Sequence, residues 1–322
     1  MSSFGVGRVS SLFVYPMSFD EFLTATGQEG LLRTKRNSSP TNPLPEAFYN
    51  RLVEAFRSYM LVGGMLEAVA TYTETGSYRY SSDIVSEIIQ GYQDDFAKYG
   101  AKANPLLLRQ TLISVAHQAG AKFVYSRVEG QYRSAEVKVA LEMLKDAGLI
   151  IPTYHTDANG VPLGAEINER VVKYLIHDTG VLLGILGIDD DIDDSIKEMM
   201  VADSINLVDK GHVAEMMAGL ELIKYSSPQK RHQLYYWQNM NKGTCAEVDY
   251  VIARSGSIVP IEVKSGVKGS MSSMYSLMRN PQKHIEMGIR CSLENFGTFA
   301  SPDGKKIDII PLYAISNLFA EK

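Results

Sequence analysis

Residues 246–264 read Ala246-Glu247-Val248-Asp249-Tyr250-Val251-Ile252-Ala253-Arg254-Ser255-Gly256-Ser257-Ile258-Val259-Pro260-Ile261-Glu262-Val263-Lys264. Apolar residues fill two strand-like runs, 246–253 and 257–264, and Arg254-Ser255-Gly256-Ser257 between them is a natural tight hairpin. With Ser255 and Gly256 as the two loop residues, Arg254 pairs with Ser257, Asp249 falls opposite Glu262, and Glu247 falls opposite Lys264. Alternation along a strand then projects all four side chains from one face. Two carboxylates facing each other across a hairpin repel, yet Val248, Tyr250, Ile252, Ile261 and Val263 around them are those of a buried strand. A divalent cation is the economical compensation, with Asp249 and Glu262 as oxygen ligands and the Val263 carbonyl within reach. Lys264 on the same face can hold or polarise an attacking water. The set suits metal-assisted hydrolysis of a phosphodiester. The competing arrangement is a surface hairpin with its carboxylates in water and Glu247–Lys264 as a cross-strand ion pair.

Upstream, residues 211–222 read as a helix with Val213, Met216 and Leu220 facing the core. Glu215 lies near its N-terminal end and can supply a third carboxylate. Residues 289–292 and 307–314 read as later strands of a mixed sheet, the last of them buried on both faces. Cys245 and Cys291 have no His at a motif spacing, and the six histidines form no zincin motif.

Towards the N-terminus, residues 12–15 suggest a short strand stopped by Pro16. A helix follows, with Ser18 at the N-cap and Glu21 at the capping-box position. The polar stretch 27–46 reads as a loop. Helical spacing recurs over 46–61 and 81–99, broken between them by Gly63-Gly64. Residues 105–155 suggest a helix ended by Gly120, a short piece at 125–128, a helix capped by Ser134, a strand at 149–154 and a turn at 157–160. This is the layout of a winged helix, with 134–147 as the candidate DNA-reading helix. Residues 101–150 hold seven basic and four acidic side chains. The exposed face of that helix, however, mixes Lys138 and Lys145 with Glu136, Glu142 and Asp146, whereas a strong groove reader is more uniformly basic.

Composition sets the outer bounds. The chain has 322 residues, 45% apolar and 21% charged, which excludes wholesale disorder, a collagen-like repeat and a disulfide scaffold. That length corresponds to about two domains. No run of about 18 apolar residues appears, and the N-terminus lacks an export signal, so membrane spanning and secretion are not expected. Two cysteines fit a reducing, cytoplasmic compartment. The net charge of −5 is uneven. Residues 1–200 hold 18 basic and 25 acidic side chains, and residues 201–322 hold 14 and 12. The division follows the acidic run 189–194, which reads as a solvated connector and lacks the central Gly and distal Glu of an EF-hand loop.

Glu215, Leu234-Tyr235-Tyr236-Trp237-Gln238, Glu247-Val248-Asp249 and Pro260-Ile261-Glu262-Val263-Lys264-Ser265-Gly266 together resemble the PD-(D/E)xK nuclease-like fold. More particularly, they resemble the domain of unknown function that follows the ATPase module in a prokaryotic AAA+-type ATPase family. Gly7-Arg8, Tyr15-Pro16-Met17-Ser18-Phe19 and Gly63-Gly64-Met65 match that family's order upstream. The resemblance implies an α/β (mixed) fold: residues 1–26 as a remnant of the ATPase module, 46–200 as a helical region with a winged-helix-like part at about 105–180, and 201–322 as the nuclease-like domain. It implies Glu215, Asp249 and Glu262 as ligands of Mg²⁺ or Mn²⁺, Lys264 as the catalytic lysine, and Gln282 and Lys283 as possible phosphate contacts. DNA and the family's ATPase module are the implied partners. The family's phosphate-binding loop occurs nowhere in these 322 residues, so no ATP site is expected in this chain.

Overall fold

The computed structural model describes residues 10–98, 104–187, 210–239, 246–266 and 269–319. Gly7, Arg8, the acidic run 189–194 and Cys245 lie outside the described residues.

The upstream part is helical: α1 (Phe19–Ala25), α2 (Glu29–Arg36), α3 (Glu46–Val62), α4 (Leu66–Thr75), α5 (Tyr78–Lys98), α6 (Pro105–His117) and α7 (Ser134–Asp146). Helix α1 begins with the expected capping box, in which the Ser18 amide donates to Glu21 Oε2 at 2.7 Å. Its Phe19 and Phe22 pack against Phe56 and Tyr59 of α3. Helix α3 stops at Gly63, where a Cβ would come 2.2 Å from Asp178 Oδ1. The Gly64 amide donates to Asp178 Oδ2 at 2.6 Å. Asp178 in turn caps α8 (Thr179–Ile185), so the glycine pair is fixed by a close approach as well as by a helix end.

Three upstream expectations change. Residues 10–17 form no strand: Phe13 and Met17 donate to Pro228 O and Gly64 O, too few bonds for a ladder, and Pro16 has no N–H to add. The polar 27–46 stretch contains α2, because Leu31, Leu32 and Lys35 share one buried face despite the polar composition. Helix α7 starts one residue earlier than expected at its cap, with the Arg133 amide donating to Glu136 Oε2 at 2.8 Å.

Among the described residues the strands form two sheets. The first has the order β2-β1-β3-β4, from β1 (Ile150–Thr156), β2 (Ile167–Ile176), β3 (Leu234–Gln238) and β4 (Glu247–Val248). The second has the order β5-β6-β7-β9-β8, from β5 (Tyr250–Arg254), β6 (Ser257–Val263), β7 (Met287–Ser292), β8 (Gly297–Ala300) and β9 (Lys306–Pro311). Strands β6, β7 and β9 are parallel, and β5–β6 is the expected hairpin. Because β1 pairs in parallel with β3, the upstream and downstream regions share a sheet across residue 200. The run expected as one strand over 307–314 ends at Pro311, which has no N–H to continue the ladder; Leu312–Leu318 turns into a 3₁₀ helix. The architecture is mixed α/β.

Helix α9 (Lys210–Lys224) is buried nearly all round and joins the parts. At its C-terminal end Glu221 accepts from Tyr59 Oη at 2.9 Å and from the Phe19 amide at 3.2 Å. Beside it, fully buried Lys35 pairs with Asp20 and donates to Ser316 Oγ at 2.6 Å. Among the described residues, no helix is long and apolar enough to cross a membrane.

Candidate active site

The hairpin sets the geometry. Ser255 and Gly256 both adopt positive φ, 50° and 78°, as a two-residue type I′ turn requires. The register runs from Arg254↔Ser257 to Tyr250↔Ile261, as the sequence predicts. One residue further the ladder stops. Asp249 bends the chain out of the second sheet and into the first, where Glu247 pairs with Gln238. The Asp249 carboxylate takes over the missing backbone contact, with Oδ2 accepting the Val263 N–H at 2.7 Å. Asp249 is therefore next to Glu262 but not in a regular cross-strand pair with it.

The predicted Glu247–Lys264 pair is likewise replaced. Lys264 donates to Glu262 Oε1 at 2.6 Å, and Glu247 is drawn to Lys173 of β2 at 2.5 Å. The same Lys173 Nζ donates to Glu215 Oε1 at 2.9 Å and lies 4.9 Å from the Tyr236 ring centroid. Glu215 is positioned by Tyr250, whose hydroxyl donates to the Glu215 carbonyl at 2.8 Å. Gly219 leaves room for that hydroxyl, since a Cβ there would meet it at 2.4 Å. The structure thus brings Glu215, Asp249, Glu262 and Lys264 into one cluster and adds Glu247 and Lys173.

Electrostatics inside the cluster follow from burial. Glu215 is pushed up to about 8, by burial first; Lys173 opposes this and Asp249 adds to it. Glu262 is pushed up to about 7 by burial and by the neighbouring Asp249 charge, against the pull of Lys264. Burial also raises Asp249, while the Val263 N–H and both lysines hold it down. For Lys173 burial disfavours the charge, but Glu215 and Glu247 outweigh it and hold the group as ammonium. Cys291 is pushed up to about 12 by burial and by Asp249, so it is a thiol and not a nucleophile here.

Among the described residues, no three Asp, Glu, His or Cys side chains converge as a ready-made metal-binding group. The donors that are present still suit a hard cation, since all are oxygens. Glu262 Oε2 is buried without a hydrogen-bond partner among the described residues, an acceptor left open in an acidic cluster.

The remaining predicted contacts lie elsewhere in the fold. Lys283 is buried, donating to Asn159 Oδ1 at 2.8 Å and to Asp157 O, and so ties the downstream domain to the β1–β2 turn. Gln282 beside it is exposed. Lys138 is exposed on α7, in a cavity of about 820 Å³ that it shares with Arg170, Asp157, Glu166 and Glu169. Lys145 pairs with Glu142. A cavity of about 950 Å³ between residues 12–17, the α7–β1 turn and His177 has none of the clustered carboxylates in its wall. Lys173 is the residue that sequence reasoning missed. Its signal was a lone lysine within Val171-Val172-Lys173-Tyr174-Leu175-Ile176, a run otherwise apolar enough to be buried on both faces.

Residues 53–192 match the model of a domain of unknown function, DUF8612, and residues 210–315 match that of a second, DUF4143. No curated protein and no solved structure matches the chain. Lys173 falls in the first matched region, and Glu215, Asp249, Glu262 and Lys264 fall in the second. The chain therefore joins a DUF8612 region to a DUF4143 domain, a type typically found in AAA ATPase-associated proteins.

Proposed function

We propose that the downstream domain is a metal-dependent nuclease-like module of the PD-(D/E)xK type, acting on DNA phosphodiester bonds in concert with an AAA+ ATPase module. The observation that carries this reading is one buried cluster in which Asp249 from the bend bears on both Glu215 of α9 and Glu262 at the end of β6, with Lys264 paired to Glu262. Asp, then Glu-x-Lys, with an upstream helical Glu, on a hairpin continued by parallel strands, is the pattern expected of that fold. Glu215, Asp249 and Glu262 are the residues that would hold Mg²⁺ or Mn²⁺. A bound divalent cation would supply a Lewis acid that lowers the pKa of water and stabilises developing phosphate charge. Lys264 keeps its ammonium on Glu262 Oε1 while its side chain stays 22% exposed, so it can reach a phosphate oxygen or orient the attacking water. Asp249 is held in place by the Val263 amide. The succession α6, α7, β1, β2 supports a winged-helix-like role in DNA contact, with Lys138 as an exposed cation on α7. The acidic residues sharing that surface limit its strength.

One observation favours a second reading, a catalytically silent module that binds nucleic acid or protein. Lys173 already pairs with both Glu215 and Glu247 from within. A cleavage assay separates the two. The protein with Mg²⁺ or Mn²⁺ should cut single- or double-stranded DNA, and Asp249→Ala or Glu262→Ala should abolish the cut. Cleavage that survives both substitutions sinks the assignment, and binding without cleavage supports the silent module.

A further inference from the structure

The carboxylates assigned to the metal belong to the downstream domain, but the upstream region closes over them. Lys173, 1% exposed on β2, holds Glu215 Oε1 at 2.9 Å and Glu247 Oε1 at 2.5 Å. Gly120, in the turn after α6, approaches the other oxygen, since a Cβ there would lie 3.2 Å from Glu215 Oε2 and 2.6 Å from the His212 ring. Glu262 Oε2 faces neither lysine with a hydrogen bond and has no partner among the described residues, although Glu262 is only 5% exposed. The cluster thus holds two carboxylates claimed by Lys173 and one oxygen that no described residue claims. A lysine ammonium and a divalent metal compete for the same carboxylate oxygen, because two cations at contact distance in a buried site repel strongly.

We propose that Lys173 is an intramolecular cation, supplied by the upstream region, that competes with a divalent metal for Glu215, so that loading the downstream site requires Lys173 to withdraw from that carboxylate. This rests on the metal-site reading above and adds a regulator to it. Glu247, which lies outside the proposed metal set, gives Lys173 a second carboxylate to stay on once Glu215 is released. The position of β2 against α9 then sets metal affinity. Anything that shifts the upstream region against the downstream domain acts on the site through one side chain.

The test is calorimetric titration of the full chain with MnCl₂, comparing the unsubstituted protein, Lys173→Met, and Lys173→Met combined with Glu247→Gln. The double variant keeps Glu215, Asp249 and Glu262 and removes one of the two carboxylates that Lys173→Met would strand, so it carries the comparison if the single variant fails to fold. Thermal unfolding reports folding of each. Both variants should bind Mn²⁺ at least about tenfold more tightly than the unsubstituted protein, and adding Asp249→Asn should remove that gain. Equal or weaker binding by the variants, with binding by the unsubstituted protein intact, overturns the competition and leaves the metal-site reading standing. Absence of binding in all three overturns both.

Discussion

Replacing Glu262 by Gln probes whether the carboxylates of the site are held against their own repulsion. In the folded chain Glu262 keeps one oxygen on Lys264 and the other on nothing, and Asp249 presses on it from the neighbouring bend. Burial and Asp249 move its pKa from the ordinary 4.5 to about 7. Between those values the folded state keeps a proton that the unfolded chain has released, so stability falls as pH rises through this window and the loss is complete above about 7. At about 1.4 kcal/mol per unit the shift corresponds to roughly 3 kcal/mol. Gln does not ionise and so escapes that penalty; because the shift already includes the pull of Lys264, its advantage should grow by roughly 2–3 kcal/mol between pH 5 and pH 8. Urea denaturation in EDTA at pH 5 and pH 8 reads it out. Glu262→Gln should be the more stable protein at pH 8, and its advantage should shrink towards zero at pH 5. A variant that is equally or less stable at pH 8, with no pH dependence in the difference, refutes the reasoning.

Two further perturbations address how the site is held. Asp20→Asn leaves Lys35 buried with Ser316 as its remaining partner and should cost about 3–5 kcal/mol; Lys35→Met on top of it should recover most of that loss, and additive losses in a thermal double-mutant cycle would contradict the pairing. Gly219→Ala should lower stability by about 1–3 kcal/mol although alanine favours helix, because its Cβ would come 2.4 Å from the Tyr250 hydroxyl that braces Glu215. Tyr250→Phe in the same background should relieve part of the clash, and a Gly219→Ala protein with an unchanged melting temperature would refute the close contact.

Local chemistry was legible where it was self-contained. Ser255-Gly256 dictates a two-residue turn, and the turn dictates the register of β5 on β6. Ser18 and Glu21 specify a capping box without help from the rest of the chain. Reading failed where a distant partner decides. Glu247 follows β4 to Gln238 of β3 instead of facing Lys264, because Asp249 can satisfy the Val263 amide with its side chain and free the backbone to change sheets. Helix α2 hides in a polar stretch because its apolar face is only Leu31, Leu32 and the stem of Lys35. Lys173 stands out as a lone lysine in an apolar strand, but its place in the site could not be read locally because its two carboxylate partners lie 42 and 74 residues away. The shared sheet that delivers it depends on a parallel pairing of β1 with β3, which no local pattern encodes.

The central claim is that Asp249 and Glu262, with Glu215 beside them, form a divalent cation site. Anomalous diffraction at the manganese edge from a crystal soaked in MnCl₂ tests it most directly. A single peak bonded by Asp249 and Glu262 is expected, with Glu215 turned toward it and Lys173 retained on Glu247 alone. A soaked crystal with no peak there, and with Lys173 still on Glu215 and Lys264 still on Glu262, would contradict it.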